Sequence, residues 1–167
     1  GHMDQKTWNS IDLILNSISE HKKHWNISLL EFCDHKHAND SLETGKFLHY
    51  LRRHDLELNE IISYTNDTSY WYEKIEQMAG TICMRLHAGI ISYTVGTNFL
   101  MLPYAQKCID FATFVEDHEK TTNLIQKGNE IKLVTSFLNQ IDQTAFVNNN
   151  AVALQSSKQI EFLFNGA

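Results

Sequence analysis

Apolar residues recur along most of this chain at a spacing near 3.6, the repeat that gathers them on one face of a helix. Trp8, Ile11, Leu15, Ile18 and Trp25 form the first such stripe. They predict an amphipathic helix over 7–25, with Asp4 or Thr7 as its cap. Phe47, Leu51, Leu58, Ile61 and Ile62 predict a second helix over 42–65, started by Asp40 or Ser41 and closed at Asn66-Asp67-Thr68. The longest stripe is Trp71, Ile75, Met78, Ile82, Leu86, Gly89 and Tyr93. It predicts one helix over 69–95, roughly 40 Å long at ~1.5 Å per residue. Gly96 then falls where a left-handed residue ends a helix.

Two further stripes follow. Pro103 suits the first turn of a helix carrying Cys108, Phe111, Ala112, Val115 and Ile125. Asn129 caps another through Ile131, Val134, Leu138, Ile141 and Ala145. Segments 26–40 and 151–164 read less simply. Ser28-Leu29-Leu30-Glu31 has the form of a capping box, while Ile27, Leu29 and Cys33 alternate as in a strand. In the tail, Val152, Ile160, Leu163 and Phe164 suit a last helix, with a hairpin around Ser156-Ser157 as the alternative. The expected fold is all-α: an antiparallel bundle of five to seven helices in a single domain over 4–167, centred on the 69–95 helix. Gly1-His2-Met3 reads as an expression scar.

Composition supports a folded domain, since 43% of the 167 residues are hydrophobic and 20% are charged. The net charge of −6, with no basic run longer than two residues, counts against a nucleic-acid or anionic-membrane partner. No apolar run approaches ~18 residues, so no membrane insertion is expected. Cys33, Cys83 and Cys108 are scattered and odd in number, which argues against a disulfide framework and for a reducing, cytoplasmic setting.

Three groups of residues stand out as candidate chemistry. Cys33, His35 and His37 offer a thiolate and two imidazoles in one short stretch, a set that a loop wraps around Zn²⁺. Tyr70, Trp71 and Tyr72 point ~100° apart along a helix, so they cannot share one core and suit a partner-binding face. Arg85, His87 and Gly89 lie in an apolar stretch interrupted by Ala79, Gly80, Ala88 and Gly89, which invites something to dock against the backbone there. P-loop, G-x-S-x-G and G-x-G-x-x-G motifs are absent.

Across 82–108, the order His87, Gly89, Ser92, Gly96, Leu100, Cys108 resembles a histidine-phosphotransfer domain, with Ile90 and Ile91 where that family has Lys and Gly. The resemblance implies a helical bundle with His87 as phosphoacceptor, or a ligand-sensing bundle centred on it. The leading expectation is a non-enzymatic α-helical interaction module, an adaptor, immunity-type or regulatory protein that binds a protein partner and needs no cofactor.

Overall fold

The computed structural model describes residues 3–21, 25–32, 34–35, 38–119, 122–149 and 159–164; of these, 34–35, 38–42, 144–149 and 159–164 are described by backbone alone. The elements run α1 (Gln5–Ser19), β1 (Asn26–Glu31), β2 (Asp34–His35), β3 (Ala38–Asn39), α2 (Asp40–Arg53), β4 (Leu58–Ile62), α3 (Thr68–Glu76), β5 (Gly80–Cys83), α4 (Leu86–Val95), β6 (Phe99–Met101), α5 (Gln106–Glu119), α6 (Glu130–Asn149) and β7 (Gln159–Phe164). Five strands form one sheet in the order β4-β1-β7-β5-β6, and every pairing in it is parallel. β2 and β3 make a separate two-stranded antiparallel pair.

This is an α/β architecture, and the expected all-α bundle is wrong. The reason is physical. Strands covered by helices on both faces lose the polar-out alternation that marks a half-exposed strand. All four residues of β5 and all three of β6 are buried, so each reads as a short apolar run that periodicity cannot tell from a buried helix. The expected 69–95 helix is therefore α3, β5 and α4 in succession.

The expected 42–65 helix likewise divides. α2 stops at Arg53, where Asp55 adopts φ 52° and Leu56 N–H reaches back to the Leu51 carbonyl at 3.0 Å. Aspartate tolerates this left-handed conformation better than most residues. β4 follows at the sheet edge. The tail expected to be helical carries β7, a parallel strand between β1 and β5, while 151–158 lie outside the described residues. Pro103 precedes α5 rather than entering its first turn, and that helix ends at Glu119, short of Ile125.

Several local signals hold. Asp4 caps α1, accepting from Thr7 N–H at 2.8 Å, whereas Asn66-Asp67-Thr68 follows β4 and closes no helix, Asp67 being the cap of α3. Gly96 ends α4 at φ 77°.

Helices cover both sheet faces. On one, Trp8, Ile11 and Leu15 of α1, Phe47 and Leu51 of α2, and Val134, Phe137 and Leu138 of α6 pack with Ile27, Leu29, Ile82 and Leu100. On the other, Trp71 and Ile75 of α3, Ala88 and Ile91 of α4, and Cys108 and Ala112 of α5 pack with Leu30, Cys83, Phe99 and Met101.

Two glycines test this packing in opposite directions. A Cβ at Gly80 would lie 2.5 Å from Phe137 Cζ, whereas a Cβ at Gly45 meets nothing within 4 Å. Gly80→Ala is expected to cost about 1–3 kcal/mol through overpacking. Gly45→Ala, in α2, is expected to gain about 0.5–1 kcal/mol. Urea denaturation measures both. A chain ending at residue 150 lacks β7, which strips β1 and β5 of a shared neighbour. It is expected to lose its cooperative unfolding transition; a sharp transition like that of the full chain would show the central strand to be dispensable.

Candidate active site

In open parallel sheets, ligands bind at the carboxyl ends of the strands, at the point where successive connections leave for opposite faces. Here that point lies between β1 and β5. After β1 the chain passes through α2, on one face, to β4 on one side. After β5 it passes through α4, on the other face, to β6 on the opposite side. β7 separates the two strands, so their ends stand roughly 10 Å apart, twice the usual strand spacing.

The β5–α4 junction supplies the chemistry on one side of this crevice. Arg85 is half-buried, holds the N-cap position of α4 in an extended conformation, and its side chain makes no capping bond. His87, the second residue of α4, is exposed. Beneath them, α4 is fastened to β5 by buried hydroxyls. Thr81 Oγ1 and Ser92 Oγ lie 2.8 Å apart, and Ser92 Oγ donates to the Ala88 carbonyl at 2.8 Å. Gly89 lets α4 approach β6 and α5 closely, because a Cβ there would lie 2.5 Å from Met101 Cε and 3.1 Å from Phe111 Cε1.

One strand over, Leu102 N–H donates to the Cys83 carbonyl at 2.8 Å, and Cys108 Sγ to the Met84 carbonyl at 3.7 Å. The residue after β6 is thereby held to the end of β5, and α5 to the loop carrying Arg85. The stretch after β6 presents the exposed Tyr104 and Lys107, the ammonium 6.0 Å from the ring centroid. On the crevice's other side, Glu31 ends β1 with Oε1 accepting from Thr44 Oγ1 at 2.8 Å.

Charge differs among the helix starts at this edge. The helix macrodipole favours acids at the N-terminus by about 0.3–1 kcal/mol and disfavours bases there. α1 and α3 follow the rule with Asp4 and Asp67 as caps, and α6 with Glu130 in its first turn. In α1, hydrogen bonds from Thr7 hold the Asp4 carboxyl below its ordinary value. α1 and α3 have no acid within the first turn itself, and α1 carries Lys6 there; α4 and α5 have neither an acidic first turn nor an acidic residue at the start, and Arg85, His87 and Lys107 stand there. Local rules broken in this way cluster at functional sites. An anion bound at this edge would reverse the penalty.

The other sequence-picked residues sit elsewhere. Trp71 is buried, stacked on Phe32 at 4.3 Å, with Nε1 donating to the Thr65 carbonyl at 3.0 Å. Tyr70 and Tyr72 are half-buried against the same core, so the three do not form an open face. Of the zinc set, Cys33 and His37 lie outside the described residues, and His35 is placed by its backbone in β2, just beyond the carboxyl end of β1. The phosphotransfer arrangement does not occur: His87 follows a strand at the start of a ten-residue helix instead of lying midway along a long one. Thr81, Ser92, Tyr104 and Lys107 were not among the sequence candidates.

Two clefts of about 650 and 750 Å³ open on the opposite, amino-terminal edge of the sheet. One borders Gly96–Phe99 before and at the start of β6, the other Trp25 and Leu56–Leu58 before β1 and β4. The switch-point topology favours the carboxyl edge instead. No helix among the described residues is long and apolar enough to cross a membrane.

The sequence model of the family described as polysaccharide pyruvyl transferase matches residues 6–106, from α1 to the first residue of α5. The match takes in β1, β4, β5 and β6 together with Arg85 and His87. No curated protein and no solved structure matches the chain. The family match overturns both sequence-based functional expectations, the non-enzymatic interaction module and the phosphotransfer or sensing bundle, and points to an enzyme that modifies saccharides.

Burial pushes the Cys108 thiol above its ordinary value, and Cys83 is also enclosed. In a Cys33→Ser background, neither thiol is expected to react with Ellman's reagent at pH 8 until denaturant is added. A fast native-state phase would show that the β5–α4–α5 junction opens.

Proposed function

The chain belongs to the polysaccharide pyruvyl transferase family, and from that premise we propose that its carboxyl sheet edge binds an activated pyruvyl donor and moves the pyruvyl group to a saccharide. One observation carries the reading. The family match covers the strands whose ends present Arg85 and His87 at the sheet's switch point.

The donor's chemistry fits the edge. A pyruvyl group carries a carboxylate, and activation as an enol phosphate adds a second anion. A guanidinium binds a carboxylate through two parallel hydrogen bonds, which fixes orientation as well as charge. Arg85 is assigned this contact.

Transfer to two neighbouring hydroxyls balances as follows. One acceptor oxygen bonds to donor C2, and its proton is matched by a proton added to the C3 methylene, which becomes a methyl group. The second oxygen bonds to C2 as the C2–O(phosphate) bond breaks, its electron pair leaving on phosphate, which takes the second proton. His87 is exposed at this edge, and imidazole is the side chain best suited to give and take protons near neutral pH. It is assigned the transfer between the acceptor hydroxyl and C3.

Purified chain incubated with phosphoenolpyruvate and a panel of soluble oligosaccharides is expected to release inorganic phosphate only when an acceptor is present. Mass spectrometry of the saccharide reports the added pyruvyl group. Arg85→Ala should raise the donor KM, and Arg85→Lys should restore little of it, because an ammonium lacks the planar fork. His87→Ala should lower kcat by about 10²–10⁴-fold with a small effect on KM. Full activity in His87→Ala would remove the imidazole from the mechanism.

A further inference from the structure

The cleft of about 650 Å³ at the amino-terminal edge of the sheet lies at the far end of α4 from Arg85 and His87. Roughly 300–1,000 Å³ is usual for a small-ligand site. Its floor is apolar, with Phe99, Val115 and Phe137 buried. Around that floor stand polar side chains with open bonding capacity. An amide offers two donors and an acceptor, and a hydroxyl both donates and accepts. The half-buried Asn123 and the exposed Ser136 make no side-chain hydrogen bond among the described residues. Asn98 Oδ1 accepts from Gln140 Nε2 at 3.4 Å, and its own NH₂ makes no hydrogen bond among them. At the rim, Tyr93 OH donates to Glu119 Oε1 at 3.2 Å.

Charge narrows the ligand class. Glu119 is the one charged residue in the lining among the described residues. α4 and α5 both end at this cleft, at Val95 and Glu119, and a helix C-terminus carries about half a negative charge. Phosphate and carboxylate ligands are therefore disfavoured here. An apolar floor ringed by amides, hydroxyls and one carboxylate suits a neutral ligand with hydroxyls at its edge and C–H groups on its face, which describes a sugar ring. The other cleft at this edge lacks that character, since His21, His54, Asp55 and Glu57 line it.

We propose that this cleft is a second saccharide site, which holds a distal, neutral stretch of the polysaccharide acceptor while the reacting unit lies at the carboxyl edge. This rests on the pyruvyl-transfer reading for the polymer's role and deepens it. α4 spans ten residues, about 15 Å at ~1.5 Å per residue, so an oligomer bridges the two sites and a single sugar does not. The enzyme then favours long acceptors over short ones.

Side-chain amide signals test the proposal. Cellohexaose, maltohexaose and mannohexaose are added in turn to the full chain and followed by proton–nitrogen NMR, with glucose and inorganic phosphate as comparisons. At least one hexasaccharide is expected to shift the Asn98 and Asn123 NH₂ signals, with a Kd of about 0.1–1 mM, and phosphate to leave them in place. Asn123→Ala should weaken binding about three- to tenfold. Ser136→Trp, at an exposed position of α6, should fill the cleft and abolish the shifts without lowering Tm. In the transfer assay the same variant should lose the preference for a hexasaccharide over a monosaccharide acceptor. Hexasaccharide shifts that are absent, confined to the carboxyl edge, or retained in Ser136→Trp overturn the second site and leave the enzyme reading intact. Cleft shifts in a chain that transfers no pyruvyl group keep the saccharide site and overturn the transfer reading.

Discussion

The arrangement depends on one long-range pairing. β7, at the far end of the chain, lies between β1 and β5, with Ile160 opposite both Ile27 and Gly80, and Leu163 opposite both Leu30 and Cys83. Without that strand, the β4-β1 and β5-β6 pairs have no hydrogen bonds to each other. A central strand supplied last imposes a large loop-closure cost, which the burial on both faces must offset. α6 reaches the same layer from the outside, packing Val134, Phe137 and Leu138 into the core that α1 also fills. The site follows from this pairing, because β7 sets the gap across which the β1 and β5 ends face one another.

Charge placement supplies what the fold alone does not. An open parallel sheet offers a binding edge whatever its sequence, and folds of this kind serve many chemistries. Here the helices split into two sets. α1, α2, α3 and α6 have an acid at the cap or within the first turn, α1 with Lys6 beside it; α4 and α5 have none and carry Arg85, His87 and Lys107. The overall negative charge argues against a polyanionic partner, and leaves room for a small anionic ligand that one or two cations bind. The family match takes in β5 and the start of α4 with Arg85 and His87, and ends at Gln106.

The support beneath the site is neutral and buried. Thr81 and Ser92 satisfy one another between β5 and α4, and Gly89 removes the bulk that would push the helix off Met101 and Phe111. The glycine cluster noticed in the sequence thus has a packing cause. Its consequence is positional, since it seats the helix whose first turn carries His87.

The sequence alone settled local features: the Asp4 cap, the Gly96 stop, the span of α6 from Glu130, and the oddity of Arg85-Leu86-His87 among small residues. Each depends on neighbours within a turn or two, and nearby residues report such things. Strand identity was different. Ile82 and Cys83, or Leu100 and Met101, are apolar because helices cover both sides of them, and a short apolar run carries no period that separates strand from helix. It took the tertiary structure to show that β7 closes the sheet and that the ends of β1 and β5 face one crevice. Those facts are hydrogen bonds between segments far apart in the chain, and a local pattern contains no record of its distant partner.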